Sequence, residues 1–249
     1  MSRLVNGTVN RILNPILGWA GYRLTPIDRP TRTFEQFFAH VKRLGFEPRT
    51  VIDVGAASGT LCLHRAFPQA HFVLVEALSE FEKPLRELSR QYKCDIHLVG
   101  VGAEVGTAQL CLHEDPYGTY VDQGTHDAKL RGRREIEIST LSEILGAHQC
   151  VAPMLAKFDI QGYELEALKG MGSYLREVDV FIIETTLYLG STTERPDLYS
   201  ILSFMRENEY SVFDILDGLV RPFNGDLTQL DLVFVKDKGM FRQHVGRWR

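Results

Sequence analysis

The sequence predicts an α/β fold in three layers, with helices on both faces of a mostly parallel sheet of seven strands whose last strand is antiparallel. Short apolar runs alternate with amphipathic helical stretches from about residue 46 onward, which is typical of parallel strands joined by crossover helices. The 249 residues, 44% of them hydrophobic, are enough to bury one sizeable core. Only a turn and loop at 217–226 separates the last two strands, so these two are expected to pair antiparallel.

We expect two regions, an N-terminal helical extension at 1–45 and a main domain at 46–249. Apolar positions from Val5 to Ala20 follow a helical stripe, which Pro15 should kink or split. A further amphipathic helix is expected over Thr33–Leu44. Packing of the stripe on the domain or on a second subunit is favoured over contact with a membrane surface, which stays open.

Strands and helices then alternate along the main domain. The sheet strands are expected at Thr50–Val54, Phe72–Val75, Ile96–Val101, Met154–Ile160, Val178–Glu184, Tyr210–Ile215 and Gln229–Val235. Helices are expected at Leu61–Phe67, from the capping box of Ser79 and Glu82 to Gln91, after the capping box of Thr140 and Glu143, and at Tyr163–Lys169 and Asp197–Asn208. Thr107–His113 is predicted as an extra strand, and Glu114–Arg133, rich in Gly, Asp and Arg, as a surface insertion.

The turn after the first strand has the composition of a cofactor-binding turn. Small residues at Gly55–Gly59 let a ligand approach the backbone, and the following helix directs free N–H groups and its positive dipole end toward it. The glycine pattern of a nicotinamide site fails, because Ala57 and Thr60 stand where glycines are required. An acidic residue before the turn, Asp53, favours a cofactor with a cationic amino-acid tail over one with a pyrophosphate.

The next strand ends at a second acidic residue, Glu76. A carboxylate at that position can accept both ribose hydroxyls of an adenosine-bearing cofactor. Taken singly, Asp53 could cap a turn and Glu76 could be a solvated strand end, but together they fit S-adenosylmethionine. The predicted cofactor contacts are Asp53, Gly55, Ala56, Ser58, Gly59, Glu76, Ala77 and Val101.

Acidic residues also mark the ends of later strands. Ligands of such sheets bind outside the carboxyl ends of the strands, so Asp159 and Glu184 should face the transferred group. Strand alternation places Lys157 on the same face as Asp159, where the two can pair. A turn-capping role for Asp159 and a structural ion pair for Glu184 stay open. His113 and His126 are either alternative bases or surface histidines. A divalent metal held by Asp159 and Glu184 stays open, but no third ligand is identifiable, so no metal site is predicted.

The segment Leu155–Gly170 resembles the signature of the FkbM family of methyltransferases. The matching positions are Lys157, Asp159, Gly162, Glu164, Leu165, Leu168, Lys169 and Gly170. The resemblance extends from about Thr33 to Lys236, and Gln161 departs from it, since the family usually has a carboxylate there. It implies a Rossmann-like class I methyltransferase fold and methyl transfer from S-adenosylmethionine to a hydroxyl of a sugar, polyketide or similar small molecule.

The resemblance makes Asp159 the first candidate for the base that takes the hydroxyl proton or orients the acceptor, with Lys157 and Glu184 beside it. The acceptor wall is expected from the N-terminal helices, from 114–133 and from the loop Thr185–Arg195. Two other functions stay open. One is a nucleotide-dependent oxidoreductase or epimerase, and the other is a non-catalytic binding module.

Charge and composition limit the partners and the location. Residues 1–32 and 236–249 are each basic, whereas the remaining body is strongly acidic, which disfavours nucleic acid as a partner. The basic ends are either solvated tails or a contact with anionic lipid or a lipid-linked acceptor. The four cysteines are far apart, no apolar run reaches 18 residues, and the opening segment lacks the apolar core of a signal peptide. A cytoplasmic location is therefore expected, with a homo-oligomer left open.

Overall fold

The computed structural model describes residues 31–123, 130–187, 198–221 and 223–243. The predicted stripe at Val5–Ala20, His126, most of the loop Thr185–Arg195 and the outer parts of both basic ends lie outside the described residues, so they stay predictions. None of the helices that the structure describes has the length and apolar composition needed to cross a bilayer.

The described elements are named here in chain order. The strands are β1 (Thr50–Val54), β2 (His71–Glu76), β3 (Cys94–Leu98), β4 (Gly100–Val101), β5 (Gly106–His113), β6 (Tyr120–Val121), β7 (Leu130–Ser139), β8 (Met154–Phe158), β9 (Val180–Thr186), β10 (Tyr210–Val220) and β11 (Leu227–Lys236). The α-helices are α1 (Phe34–Arg43), α2 (Leu61–Ala66), α3 (Glu82–Leu88), α4 (Leu141–Gly146), α5 (Glu164–Lys169) and α6 (Leu198–Glu207). Short 3₁₀ helices cover Ser79–Phe81, Pro116–Gly118, Gly172–Arg176 and Met240–Arg242.

Seven strands form the main sheet, in the order β10-β11-β9-β8-β1-β2-β3. β1 pairs in parallel with β2 and β8, while β11 pairs antiparallel with both β9 and β10. The predicted mostly parallel sheet with an antiparallel last strand is confirmed. The strand order reverses between β1 and β8, and the crevice outside the carboxyl ends of strands at such a switch point is where open α/β sheets bind ligands.

Both faces of this sheet are covered, which is why β1 is buried at all five positions. On one face Val51 packs in a cluster with Phe37, Phe38 and Val41 of α1, a helix that starts with a capping box at Thr33. On the other face Ile52 and Val54 pack in a cluster with residues of α4 and α5. Asp53 lies on the α1 side, because strand residues alternate between the two faces.

A second sheet, in the order β4-β7-β5-β6, stands beside the main one. The predicted extra strand is confirmed as β5, but the predicted limits of the insertion at 114–133 cut through the ten-residue strand β7. The strand predicted over Ile96–Val101 is in fact two, because β3 stays in the main sheet and β4 joins the second sheet after Val99. Half-buried and exposed residues alternate along most of β7, which pairs antiparallel with β5.

Candidate active site

A cavity of about 300 Å³ lies outside the carboxyl ends of the central strands. It is lined by the turn after β1, by the ends of β2 and β8, by β4 and by part of the second sheet. Seven of the eight predicted cofactor contacts line it, namely Gly55, Ala56, Ser58, Gly59, Glu76, Ala77 and Val101. The three predicted catalytic residues, Lys157, Asp159 and Glu184, line the same cavity. The eighth cofactor candidate, Asp53, does not.

The turn after β1 is held by contacts that depend on Gly55. Its φ of +80° is in the region that favours glycine, and a Cβ there would lie 1.9 Å from the backbone oxygen of Asp159. Its N–H and that of Ala56 donate to the carbonyl oxygen of Val75, at 2.9 and 3.1 Å. The first residue of the turn thus brings the ends of β1, β2 and β8 together at the cavity.

Glu76 connects the turn to the end of β2. Its Oε2 accepts the N–H of Ala57 and its Oε1 accepts the N–H of Leu78, both at 2.8 Å. Burial raises the pKa of Glu76, and the backbone hydrogen bonds oppose that effect. Each carboxylate oxygen keeps a second lone pair that can accept a hydroxyl from a ligand in the cavity.

Asp53 is fully buried, and neither of its carboxylate oxygens has a hydrogen-bond partner among the described residues. Burial raises its pKa, and the charge of Lys157, its register partner on β8, acts in the opposite direction. A buried carboxylate without partners fits a nearby cation or donor. The residue therefore lies behind the turn and outside the cavity lining, and a direct contact with a cofactor stays a prediction.

Lys157 and Asp159 form a close ion pair at the end of β8. The Nζ atom of Lys157 lies 2.9 Å from Oδ2 of Asp159, and the lysine is only 5% exposed. Burial alone would lower the pKa of Lys157, but the charges of Asp159 and Asp53 outweigh it, so the pKa is raised. Burial would raise the pKa of Asp159, yet the lysine outweighs that effect and the pKa is lowered. Asp159 is thus held as a charged carboxylate at the cavity.

Gln161 joins this pair to Glu184. Its Nε2 donates to Oδ1 of Asp159 and to Oε2 of Glu184, each at 3.1 Å. Burial, followed by the charge of Asp159, raises the pKa of Glu184 to about 9. Two neighbouring carboxyl groups are therefore kept in different states near neutral pH, Asp159 charged and Glu184 protonated.

Two residues of this neighbourhood were given no role in the site by the sequence interpretation. Asp231 of β11 lies in register with Glu184, and burial raises its pKa to about 6. Glu164 accepts the N–H groups of Ile160 and Gly162 at 3.0 Å through Oε1, and burial raises its pKa to about 7. The alternation of side chains along the final strand could have indicated that Asp231 lies beside Glu184. Nothing in the local pattern indicated that the first helical residue of α5 would turn back on the loop before it.

The insertion forms a wall of the cavity. Pro116, Tyr117, Thr119, Tyr120 and Val121 line it. Tyr117 reaches the turn after β1, with its hydroxyl 2.9 Å from that of Ser58, and its ring packs against that of Phe81 at 5.3 Å between centroids. His113 does not line the cavity, and its Nδ1 accepts the N–H of Asp115 at 3.3 Å. Within the described ranges, no group of three or more His, Cys, Asp or Glu side chains is arranged to hold a metal ion.

Comparison with known proteins gives a family. Residues 53–212 match the model of the Methyltransferase FkbM domain. A hexuronic acid methyltransferase, AglP of Haloferax volcanii, is 34% identical over 61 residues, which are 24% of this chain and 26% of the relative.

Solved structures give lower similarity. The WbdD structure aligns with 82% of this chain and 38% of its own, at 12% identity and a TM-score of 0.46. Magnesium protoporphyrin IX methyltransferase (ChlM) of Synechocystis, solved with bound SAM, aligns with 81% of this chain and 76% of its own, at 12% identity and a TM-score of 0.46.

Proposed function

Because the chain belongs to the FkbM family of methyltransferases, we propose that it is an S-adenosylmethionine-dependent O-methyltransferase acting on a hydroxyl of a sugar or similar small molecule. One observation carries the proposal: two groups of residues line the same cavity. The first group is the turn Gly55–Gly59 together with Glu76, and the second is the ion pair of Lys157 and Asp159. The name of the Haloferax relative, a hexuronic acid methyltransferase, favours a saccharide acceptor, as in a glycolipid or polysaccharide.

The residues of the turn fit S-adenosylmethionine. Glu76 has free lone pairs for the ribose hydroxyls, and the small residues of Gly55–Gly59 leave room for the amino-acid tail near the buried carboxyl group of Asp53. Ala77 and Val101 flank the same cavity and suit the adenine. When bound, the cofactor supplies a methyl group activated by a sulfonium.

The remaining chemistry belongs to the side chains of this chain. Asp159, held charged by Lys157, would accept the proton of the acceptor hydroxyl and so leave the acceptor oxygen nucleophilic. The cavity walls hold the acceptor oxygen in line and exclude water. Glu184, protonated near neutral pH, donates a hydrogen bond to the acceptor and orients it.

The proposal is tested with labelled S-adenosylmethionine and a panel of cell-envelope glycolipids and sugars, with products identified by mass spectrometry. A product methylated on oxygen is expected, and Asp159→Asn should lower kcat by about 10²–10⁴-fold with little change in cofactor affinity. Glu166→Gln, on the exposed side of α5, is the matched control and should keep wild-type turnover. Full turnover in Asp159→Asn would remove Asp159 from the base role, and a product methylated on nitrogen or carbon would contradict O-methyl transfer.

A further inference from the structure

The backbone fixes where the side chain of Gln161 lies. The residue has a φ of +56° and is followed by Gly162 at +96°, so the chain makes a left-handed turn directly after β8. Glu164 stabilises this turn by accepting the N–H groups of Ile160 and Gly162 with one oxygen, both at 3.0 Å. A non-glycine residue with positive φ is uncommon and concentrates at functional sites. The turn places the amide of Gln161 between the ends of β8 and β9.

The amide uses its whole donor capacity on two carboxyl groups. A glutamine side chain has two N–H hydrogens, and Nε2 of Gln161 has two acceptors, Oδ1 of Asp159 and Oε2 of Glu184, each at 3.1 Å. The opposite amide orientation would set a carbonyl oxygen against both carboxyl groups and leave them without these donors. The hydrogen-bond network therefore selects one orientation.

The charge around this amide explains why a neutral donor suits the position. The positive charge of Lys157 already interacts with the carboxyl groups of Asp159 and Asp53. Asp231 adds a third carboxyl group near the lysine. A carboxylate at position 161 would bring another negative charge with no hydrogen to donate. A neutral amide at this position thus makes two hydrogen bonds where a carboxylate would repel both groups.

We propose that Gln161 is a positioning residue whose amide links Asp159 to Glu184, so that one acceptor molecule meets both carboxyl groups at once, Asp159 as hydrogen-bond acceptor and Glu184 as hydrogen-bond donor. Its catalytic meaning rests on the proposed methyl transfer. The link itself is a property of the protein without ligand and can be measured without an acceptor. Gln161 acts through the two carboxyl groups and sets the pH range in which they hold different states.

Carboxyl carbon NMR titration of the full chain tests the link, with signals assigned through Asp159→Asn and Glu184→Gln. In the wild type, Asp159 should titrate on the acid side of neutrality and Glu184 on the alkaline side. Gln161→Met keeps the side-chain length but has no donors, so both titrations should move upward by about one pH unit. Gln161→Glu, of nearly the same shape, should move them upward as well, because it adds a negative charge. Gln109→Met, at an exposed position of β5, is the matched control and should move neither titration.

Unchanged titration of both carboxyl groups in Gln161→Met or in Gln161→Glu would overturn the proposal. The result is independent of the proposed function. If the titrations move while the protein fails to bind S-adenosylmethionine, the link stands and the methyltransferase assignment fails. If the protein binds S-adenosylmethionine and the titrations stay fixed, the link alone fails.

Discussion

Replacing Lys157 by methionine removes the cation that compensates two carboxylates at the centre of the site. Its Nζ atom lies 2.9 Å from Asp159, and its strand neighbour Asp53 is fully buried without a hydrogen-bond partner in the described part of the chain. Breaking a buried ion pair by removing one partner leaves an uncompensated charge and costs about 3–5 kcal/mol. The side chain of Asp159 is 35% exposed, so solvent screens part of this cost. We therefore expect Lys157→Met to lower the free energy of unfolding by about 2–3 kcal/mol at pH 7.

The pH dependence of this loss has a definite sign. Without the lysine, the pKa of Asp159 in the folded state rises above the ordinary value of 3.8, and the pKa of Asp53, which burial already raises, rises further. The folded variant then binds more protons than the unfolded chain, so it loses stability as pH rises through the unfolded pKa toward the folded one. The gap between wild type and Lys157→Met should therefore narrow as pH falls from 7 toward 4.

Urea unfolding followed by circular dichroism at several pH values measures both effects. Lys169→Met is the matched control, because the Nζ atom of Lys169 pairs with Glu166 at 2.6 Å on an exposed helix surface. Exposed pairs contribute less than about 1 kcal/mol, so this variant should stay close to wild type at every pH. If Lys157→Met costs no more than Lys169→Met at pH 7, the lysine does not compensate buried charge and the reasoning is refuted.

Three further changes have expected outcomes. Gly55→Ala should lower stability by about 3 kcal/mol in thermal unfolding, because its Cβ would lie 1.9 Å from the backbone oxygen of Asp159 at a φ of +80°; wild-type stability would contradict this close approach. The rate of methyl transfer should fall as pH rises past the Glu184 pKa of about 9, and Glu184→Gln should abolish this fall. An unchanged pH–rate profile in the variant would assign the fall to another group. Burial, followed by the charge of His148 at 2.7 Å, lowers the pKa of His97. Below pH 6.5 the unfolded chain therefore binds a proton more readily than the folded protein does, and the free energy of unfolding falls. His97→Gln should lose less stability than wild type between pH 7.5 and 5.5, by up to about 1 kcal/mol, and equal losses would contradict the effect.

The central fold could be predicted because its signals are local. The buried strand β1, the small residues of Gly55–Gly59 and the acidic end of β2 are read from short stretches of sequence, and their meeting follows from parallel pairing. The short connection between β10 and β11 was enough to predict the direction of β11. These features place most of the cavity wall.

The second sheet and the role of Gln161 could not be predicted in this way. The chain leaves the main sheet after Val99 because β4 pairs with β7. β7 begins some 30 residues later, and its sequence has the composition of a charged surface segment. The amide of Gln161 has a function only because β9 brings Glu184 beside it. Both features arise from contacts between distant segments, which composition and periodicity do not encode.

Calorimetric titration of the full chain with S-adenosylmethionine, and separately with a nicotinamide dinucleotide, tests the cofactor assignment most directly. We expect S-adenosylmethionine to bind, and Glu76→Ala, checked for folding by circular dichroism, to weaken binding by about tenfold or more. Glu82→Ala, at the exposed start of α3, is the control and should leave the affinity unchanged. Binding of the dinucleotide without binding of S-adenosylmethionine would contradict the account.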